Sequence, residues 1–281
     1  MHLQRQNAIE EFRSLVSRGE EGIDLAFAAL TIARNEYSGL NVRDYLDRLD
    51  AMALEVNTQL PRDRTHPMQT IEVLNQFLFQ ECGFSGNSEN YFDPRNSYLN
   101  EVLDRQTGIP ITLSLVYMEL ARRIGLEVVG VGLPGHFVVK PANPLTQIYI
   151  DPFNAGTLMT KEDCRVRVAE MSGGSIEFQQ TFLQPVSKTQ FLFRMLNNLK
   201  HIYSETGARE KSLWVIELML AISPDSAGEV RDRSLMFYQL KQYRKASEGF
   251  RRYLALQPAA PDREDVLSCL QSAEDQMARL N

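Results

Sequence analysis

The chain has 281 residues, 43% hydrophobic and 23% charged, with a formal net charge of −6. That length suits two domains or one large domain with an appendage, and the composition is that of an ordinary globular protein. The acidic balance argues against nucleic acid or an anionic membrane as the main partner, and no apolar run approaches the ~18 residues of a membrane span.

The N-terminus, MHLQRQNAIEEFRSLV, is amphipathic and has no apolar signal-peptide core, so a cytoplasmic location is expected. Residues 1–60 read as all-helical. Leu25, Ala28, Ala29, Ile32 and Ala33 form one apolar stripe; Tyr45, Leu46, Leu49, Met52, Ala53 and Val56 form another. Asn41 fits as the N-cap of the second of these helices, with Asp44 in its first turn. Pro61 ends the segment. A further helix spans 67–81, with Ile71, Leu74, Leu78 and Phe79 on one face. Gly83-Phe-Ser-Gly-Asn-Ser-Glu-Asn90 then reads as a true loop, either functional or a plain surface connection.

Asn96-Ser-Tyr-Leu-Asn-Glu101 comes next. One reading makes Asn96 the cap of a short helix whose Tyr98, Leu99 and Val102 pack inward, which leaves Asn100 and Glu101 as candidates to line a pocket. Pro110 opens a well-defined helix, with Leu113, Val116, Tyr117, Leu120 and Ile124 on one stripe and Gly125 at its end. Three strands follow, Glu127–Leu133, His136–Lys140 and Gln147–Asp151, with Pro141-Ala-Asn-Pro144 as a hairpin connection between the last two.

From Thr189 onward the chain is helical again and repeats. Ile222-Ser-Pro224 and Leu256-Gln-Pro258 lie 34 residues apart, and at that offset Tyr203 matches Phe237, Ser212 matches Ala246, Ile216 matches Phe250 and Leu220 matches Leu254. That period with small residues mid-repeat is the tetratricopeptide pattern of helix pairs, here two repeats and a capping helix after Pro261. Helical repeats of this kind present surfaces to peptides or partner helices, so a protein or peptide partner is expected.

His136 and Asp151 are the residues with candidate chemistry. If their strands pair as a hairpin in suitable register, the two side chains meet, and the carboxylate fixes the tautomer of the imidazole. Such a pair is either a buried structural contact or part of a catalytic group. A nucleophile would belong at the N-terminus of the preceding helix, where free N–H groups and the helix dipole stabilise a thiolate. Gly108-Ile-Pro-Ile-Thr112 stands there, without a cysteine. Thr112 and Ser114 carry hydroxyls on that helix, which read as capping or packing, with Thr112 also a candidate to line the pocket. The cysteines are three, scattered and odd in number, which is no disulfide framework. Cys82 sits at a helix C-terminus and Cys164 follows Glu162-Asp163, so neither is placed to ionise. His2, His66, His136 and His201 show no metal-ligand spacing, and GVGLPG is neither a Walker nor a dinucleotide loop, so no metal or cofactor is expected.

The runs GFSGN, YFDPRNSYLNEVLDRQTGIPITLSLVYMELARRIGL, GLPGHFVVK and YIDPFNAG resemble the SirB-like family over roughly Ile71–Gly156. The resemblance implies an α+β protein whose core is transglutaminase-like (papain-like) with a small antiparallel sheet, followed by tetratricopeptide-like helical hairpins. The implied division is a helical segment at 1–62 packed on the core, the core at 63–187 and the repeats at 188–281. In active transglutaminase-like enzymes a Cys starts a helix, a His begins a strand and an Asp precedes a Pro. His136 and Asp151 match the last two, while the Cys position falls near Pro110. The expectation is a regulatory or scaffold protein that binds protein or peptide partners without thioester chemistry. The alternative is an atypical hydrolase or acyltransferase using the His136–Asp151 dyad, with Asn100, Glu101 and Thr112 lining its pocket.

Overall fold

The computed structural model describes residues 2–61, 67–143 and 147–280. Pro144 of the expected hairpin linker, His66 and the expected boundary at 62/63 lie outside them. In chain order the helices are α1 (His2–Val16), α2 (Gly19–Gly22), α3 (Leu25–Ala33), α4 (Val42–Gln59), α5 (Pro67–Asn75), α6 (Leu99–Arg105), α7 (Pro110–Arg123), α8 (Lys161–Ser172), α9 (Lys188–Glu205), α10 (Arg209–Ile222), α11 (Ala227–Gln239), α12 (Tyr243–Leu256) and α13 (Arg263–Leu280). The strands are β1 (Ser85–Gly86), β2 (Thr107–Gly108), β3 (Val128–Val131), β4 (Val138–Pro141), β5 (Tyr149–Asp151) and β6 (Thr157–Met159). The chain divides into two compact units, Glu20–Met195 and Met1–Gly19 with Leu196–Asn281.

In the unit Glu20–Met195, Asp24 caps α3 by accepting from the Phe27 N–H at 2.9 Å. The apolar stripe expected on α3 is wider than the spacing implied. Ala26 and Leu30 are buried along with Leu25, Ala28, Ala29, Ile32 and Ala33, so the helix is enclosed nearly all round. α4 is one-sided, and Asn41 caps it as expected, accepting from Arg43 N–H and donating from Nδ2 to Asp44 at 2.8 Å. α5 does not run unchanged to residue 81. Its last stretch, Gln76–Glu81, is a π-helix in which the Cys82 N–H reaches back to Phe77 O at 2.8 Å. The wider turn changes the helical periodicity, and both Phe77 and Leu78 are buried.

β3, β4, β5 and β6 form one antiparallel sheet in sequence order, and β1 and β2 add a short parallel pair. The strands are shorter than their apolar runs. His136 itself precedes β4, in the turn that follows β3. Val131, Val138, Tyr149 and Met159 share a buried cluster with Cys164 and Val168 of α8 and with Leu183. α7 packs on β3 and β4. It begins at Pro110 and ends where Gly125, at φ +82°, lets the Leu126 N–H return to Ala121 O at 2.8 Å.

The unit of Met1–Gly19 and Leu196–Asn281 holds α1 and the C-terminal helices. α10 and α12 start at residues 209 and 243 and end at 222 and 256, an offset of 34 at both ends. The turns before them repeat as well. Gly207 and Lys241 both take positive φ, and the next N–H groups, of Ala208 and Gln242, bond to Tyr203 O and Phe237 O. Ile216, Leu220, Ala246 and Phe250 belong to one buried cluster. Gly249 must be small: a Cβ there would stand 2.1 Å from Ser234 Oγ. α1 packs against α10, with Phe12 fully buried. The α+β class and the order of a small antiparallel sheet core followed by helical hairpins are those the sequence implies.

Candidate functional site

Antiparallel pairing of β4 and β5 sets Val139 opposite Ile150. Continued by one step, that register places Val138 opposite Asp151, so His136 lies diagonally across from Asp151 on the same face. The side chains meet: His136 Nε2 and Asp151 Oδ2 are 2.8 Å apart, with His136 4% and Asp151 0% exposed. The other ring nitrogen, Nδ1, lies outside the pair.

Asp151 is fixed from its own backbone. It caps a 3-10 turn, Pro152–Asn154, and Oδ1 accepts from the Phe153 and Asn154 N–H groups at 3.1 and 3.3 Å. The Asn154 side chain donates to Oδ2 at 2.8 Å, and Arg167 Nη2 of α8 stands 4.0 Å away. Burial raises the carboxyl's pKa, but the hydrogen bond and electrostatic attraction from His136, the Asn154 side chain and Arg167 together hold it below the ordinary carboxylate value. A carboxylate with this many donors can only accept, so the facing His136 nitrogen carries the proton and donates.

Aromatic side chains surround the pair. Phe153 meets the His136 ring edge-on at 6.1 Å, Tyr91 meets Phe153 at 6.2 Å, and Phe92, 62% exposed, meets Tyr91 at 5.4 Å. Gly86 has no room for a side chain, because a Cβ would lie 2.6 Å from both the ring and the carbonyl of Phe153.

At the start of α7 the Thr112 hydroxyl is committed to structure, while Ser114 Oγ is buried without a hydrogen-bond partner among the described residues. Thr112 Oγ1 donates to Asn96 O at 2.7 Å and accepts from the Ile109 N–H at 3.1 Å. Thr112 is buried, and no hydrogen bond joins it to His136 among the described residues. The expected cap role of Asn96 is corrected. α6 begins after Tyr98, and Asn96 instead ties down the preceding loop, donating to Asn90 O and Tyr91 O and accepting from Asn87. Two residues, Ser97 and Tyr98, separate Asn96 from the start of α6, and Tyr98 holds the cap position. Tyr98, Leu99 and Val102 are buried as expected. Asn100 is buried within α6 with Oδ1 unpaired, and Glu101 is half-buried. Neither hydrogen-bonds to the His136–Asp151 pair among the described residues.

Cys82 and Cys164 are poor nucleophiles. Burial, followed by the charges of Asp163 and Asp151, pushes the Cys164 thiol up to about 12. Burial with Glu55 and Glu81 raises Cys82. Among the described residues no three His, Cys, Asp or Glu side chains gather as a metal-ligand set. Asn154, Arg167, Phe153 and Tyr91 went unmarked in the sequence. Only Asn154 had a local signal, in the Asp-Pro-x-Asn turn pattern.

Comparison with known proteins identifies relatives of the chain. A family model described as the transglutaminase-like superfamily matches residues 43–197, and one for the tetratricopeptide repeat matches residues 199–271. A UPF0162 protein of Xylella fastidiosa is 34% identical over 251 residues, covering 88% of this chain and 89% of the relative. A UPF0162 protein of Vibrio cholerae is 28% identical over 194 residues, covering 69% and 72%. F-box only protein 21 of Mus musculus is 25% identical over 246 residues, covering 84% of this chain and 35% of that protein. With its sheet core, its His–Asp pair and these matches, the chain belongs to the transglutaminase-like superfamily and to the UPF0162 family within the known proteins.

Proposed function

We propose that this protein is a non-catalytic regulatory or scaffold protein, of the SirB-like kind and cytoplasmic, that binds protein or peptide partners. The observation that carries the reading is the start of α7. Near Pro110, where the family resemblance puts the cysteine, the sequence has Pro110 and Ile111, and the Thr112 hydroxyl is spent on Asn96 O and the Ile109 N–H. The two cysteines whose thiols are shifted are both shifted away from thiolate. The helical hairpins supply the interaction surface that tetratricopeptide repeats generally offer. In this reading the His136–Asp151 pair organises the wall of a former substrate groove, with Asn100, Glu101 and Thr112 as framework. The working division is a helical segment at 1–62, a core at 63–187 and repeats at 188–281.

The test compares wild type with His136→Ala on two readouts, turnover of ester and amide peptides and capture of partners from lysate. The reading predicts background turnover in both proteins and a reproducible set of captured partners. Wild-type turnover that His136→Ala abolishes, or no reproducible partner, would count against it.

A second reading has one specific observation in its favour, the 2.8 Å contact itself. A His held by a carboxylate can act as general base toward a water. Under that reading the protein is an atypical hydrolase or acyltransferase, and the same turnover assay decides between the two.

A further inference from the structure

We propose that Arg194 is the positioning residue for His136. The turn that presents His136 runs Leu133-Pro134-Gly135-His136, closed by the His136 N–H on Leu133 O at 3.1 Å with Gly135 at φ +73°. Both carbonyls that flank this turn accept from one nitrogen of Arg194, whose Nη2 lies 2.7 Å from Leu133 O and 2.5 Å from His136 O. The peptide plane after His136 is thereby pinned directly, and the one before it through Leu133 O, which also accepts the His136 N–H; with them is set the direction in which the ring leaves the backbone.

Three further observations show that the place is built for a guanidinium. The group lies over the Phe137 ring at 5.3 Å, and Phe137 is in turn held edge-on by Phe191, one turn earlier on α9, at 5.1 Å. Residue 132 is glycine, and a Cβ there would stand 2.9 Å from Arg194 Nη1. Arg194 makes no ion pair with a carboxylate among the described residues, and burial lowers its pKa. A partly buried cation without a carboxylate is costly, so its place here is explained by what it donates to the turn rather than by charge pairing. Arg suits this role because its planar fork is rigid; Lys would bring a flexible point charge.

The two halves of the pair are thus oriented separately, Asp151 by the amides of its own 3-10 turn and His136 by Arg194. This holds whether the pair contacts a partner or a substrate. The test is long-range 1H–15N correlation of the His136 ring in the ¹⁵N-labelled full chain, with thermal melting recorded alongside. Wild type is predicted to show a single Nε2–H tautomer. Arg194→Met and Arg194→Lys are predicted to lose it, seen as convergence of the two ring-nitrogen shifts. Gly132→Ala, which crowds Nη1 and leaves every donor in place, is predicted to do the same and keeps the test alive should Arg194→Met fail to fold. A wild-type ring spectrum in Arg194→Lys and Gly132→Ala would overturn the proposal. So would a lowered melting temperature in these variants with the tautomer unchanged, since that would mark Arg194 as merely structural.

Discussion

The His136 imidazole donates to Asp151 across a strand register that sets the two residues diagonally, at 2.8 Å and almost out of reach of solvent. Asp151 also gathers two backbone N–H groups and the Asn154 side chain. Replacing it with Ala leaves these donors and the His136 ring buried and unpaired. At about 1–3 kcal/mol for each buried group left unsatisfied, and with partial relaxation, Asp151→Ala should cost on the order of 3 kcal/mol. Urea unfolding measures this, with an unchanged slope showing that the fold persists.

The same carboxyl predicts a pH dependence. Its folded-state pKa lies below the unfolded value. Its contribution is therefore complete above the ordinary carboxylate range, near ~4, and is lost as pH falls through the depressed folded value. Unfolding midpoints taken from pH 6 down to pH 3 should fall more steeply in wild type than in Asp151→Asn. Identical slopes would mean that the donors do not favour the ionised form.

Thr112 holds the start of α7 to the segment before it. Thr112→Val keeps the shape but removes both bonds of the hydroxyl, and should cost about 1–3 kcal/mol. Thr112→Ser should restore most of the loss, because it restores the oxygen. A neutral Thr112→Val would show that the helix start is held by packing alone.

Cys164 lies in the apolar cluster beneath the sheet with its thiol raised to about 12. It should resist iodoacetamide at pH 8 in the folded protein and react fully after denaturation, as read by peptide mass spectrometry. Labelling in the native state would show that α8 opens readily.

In the C-terminal unit, Gly249→Ala drives a Cβ onto Ser234 Oγ and should cost about 1–3 kcal/mol, with Ser234→Ala recovering part of it in the double variant. Simple additivity in that cycle would place the two residues out of contact.

The repeat was legible in the sequence because it is local. The 34-residue offset between Tyr203 and Phe237 reappears as two turns with a positive-φ residue at the same position, Gly207 and Lys241, and the same returning hydrogen bond. The His136–Asp151 pairing could be anticipated for a related reason, since a short hairpin fixes which residues face one another. Arg167 and Arg194 could not be, because helices later in the chain bring them to the site and nothing in their neighbouring residues signals it. Asn96 was misread for a different cause. Its capping-type side chain stands before a helix, but the chain inserts an extra 3-10 turn, Pro94–Ser97, and the side chain serves the loop instead.

The most direct measurement on the central claim is steady-state turnover of a panel of ester and amide peptides by wild type and by His136→Ala. A positioned general base contributes about 10²–10⁴-fold. With no thiol at the start of α7, both proteins should match the uncatalysed background. A wild-type rate that falls by about 100-fold or more in a folded His136→Ala would contradict the account and make the His136–Asp151 pair an active one.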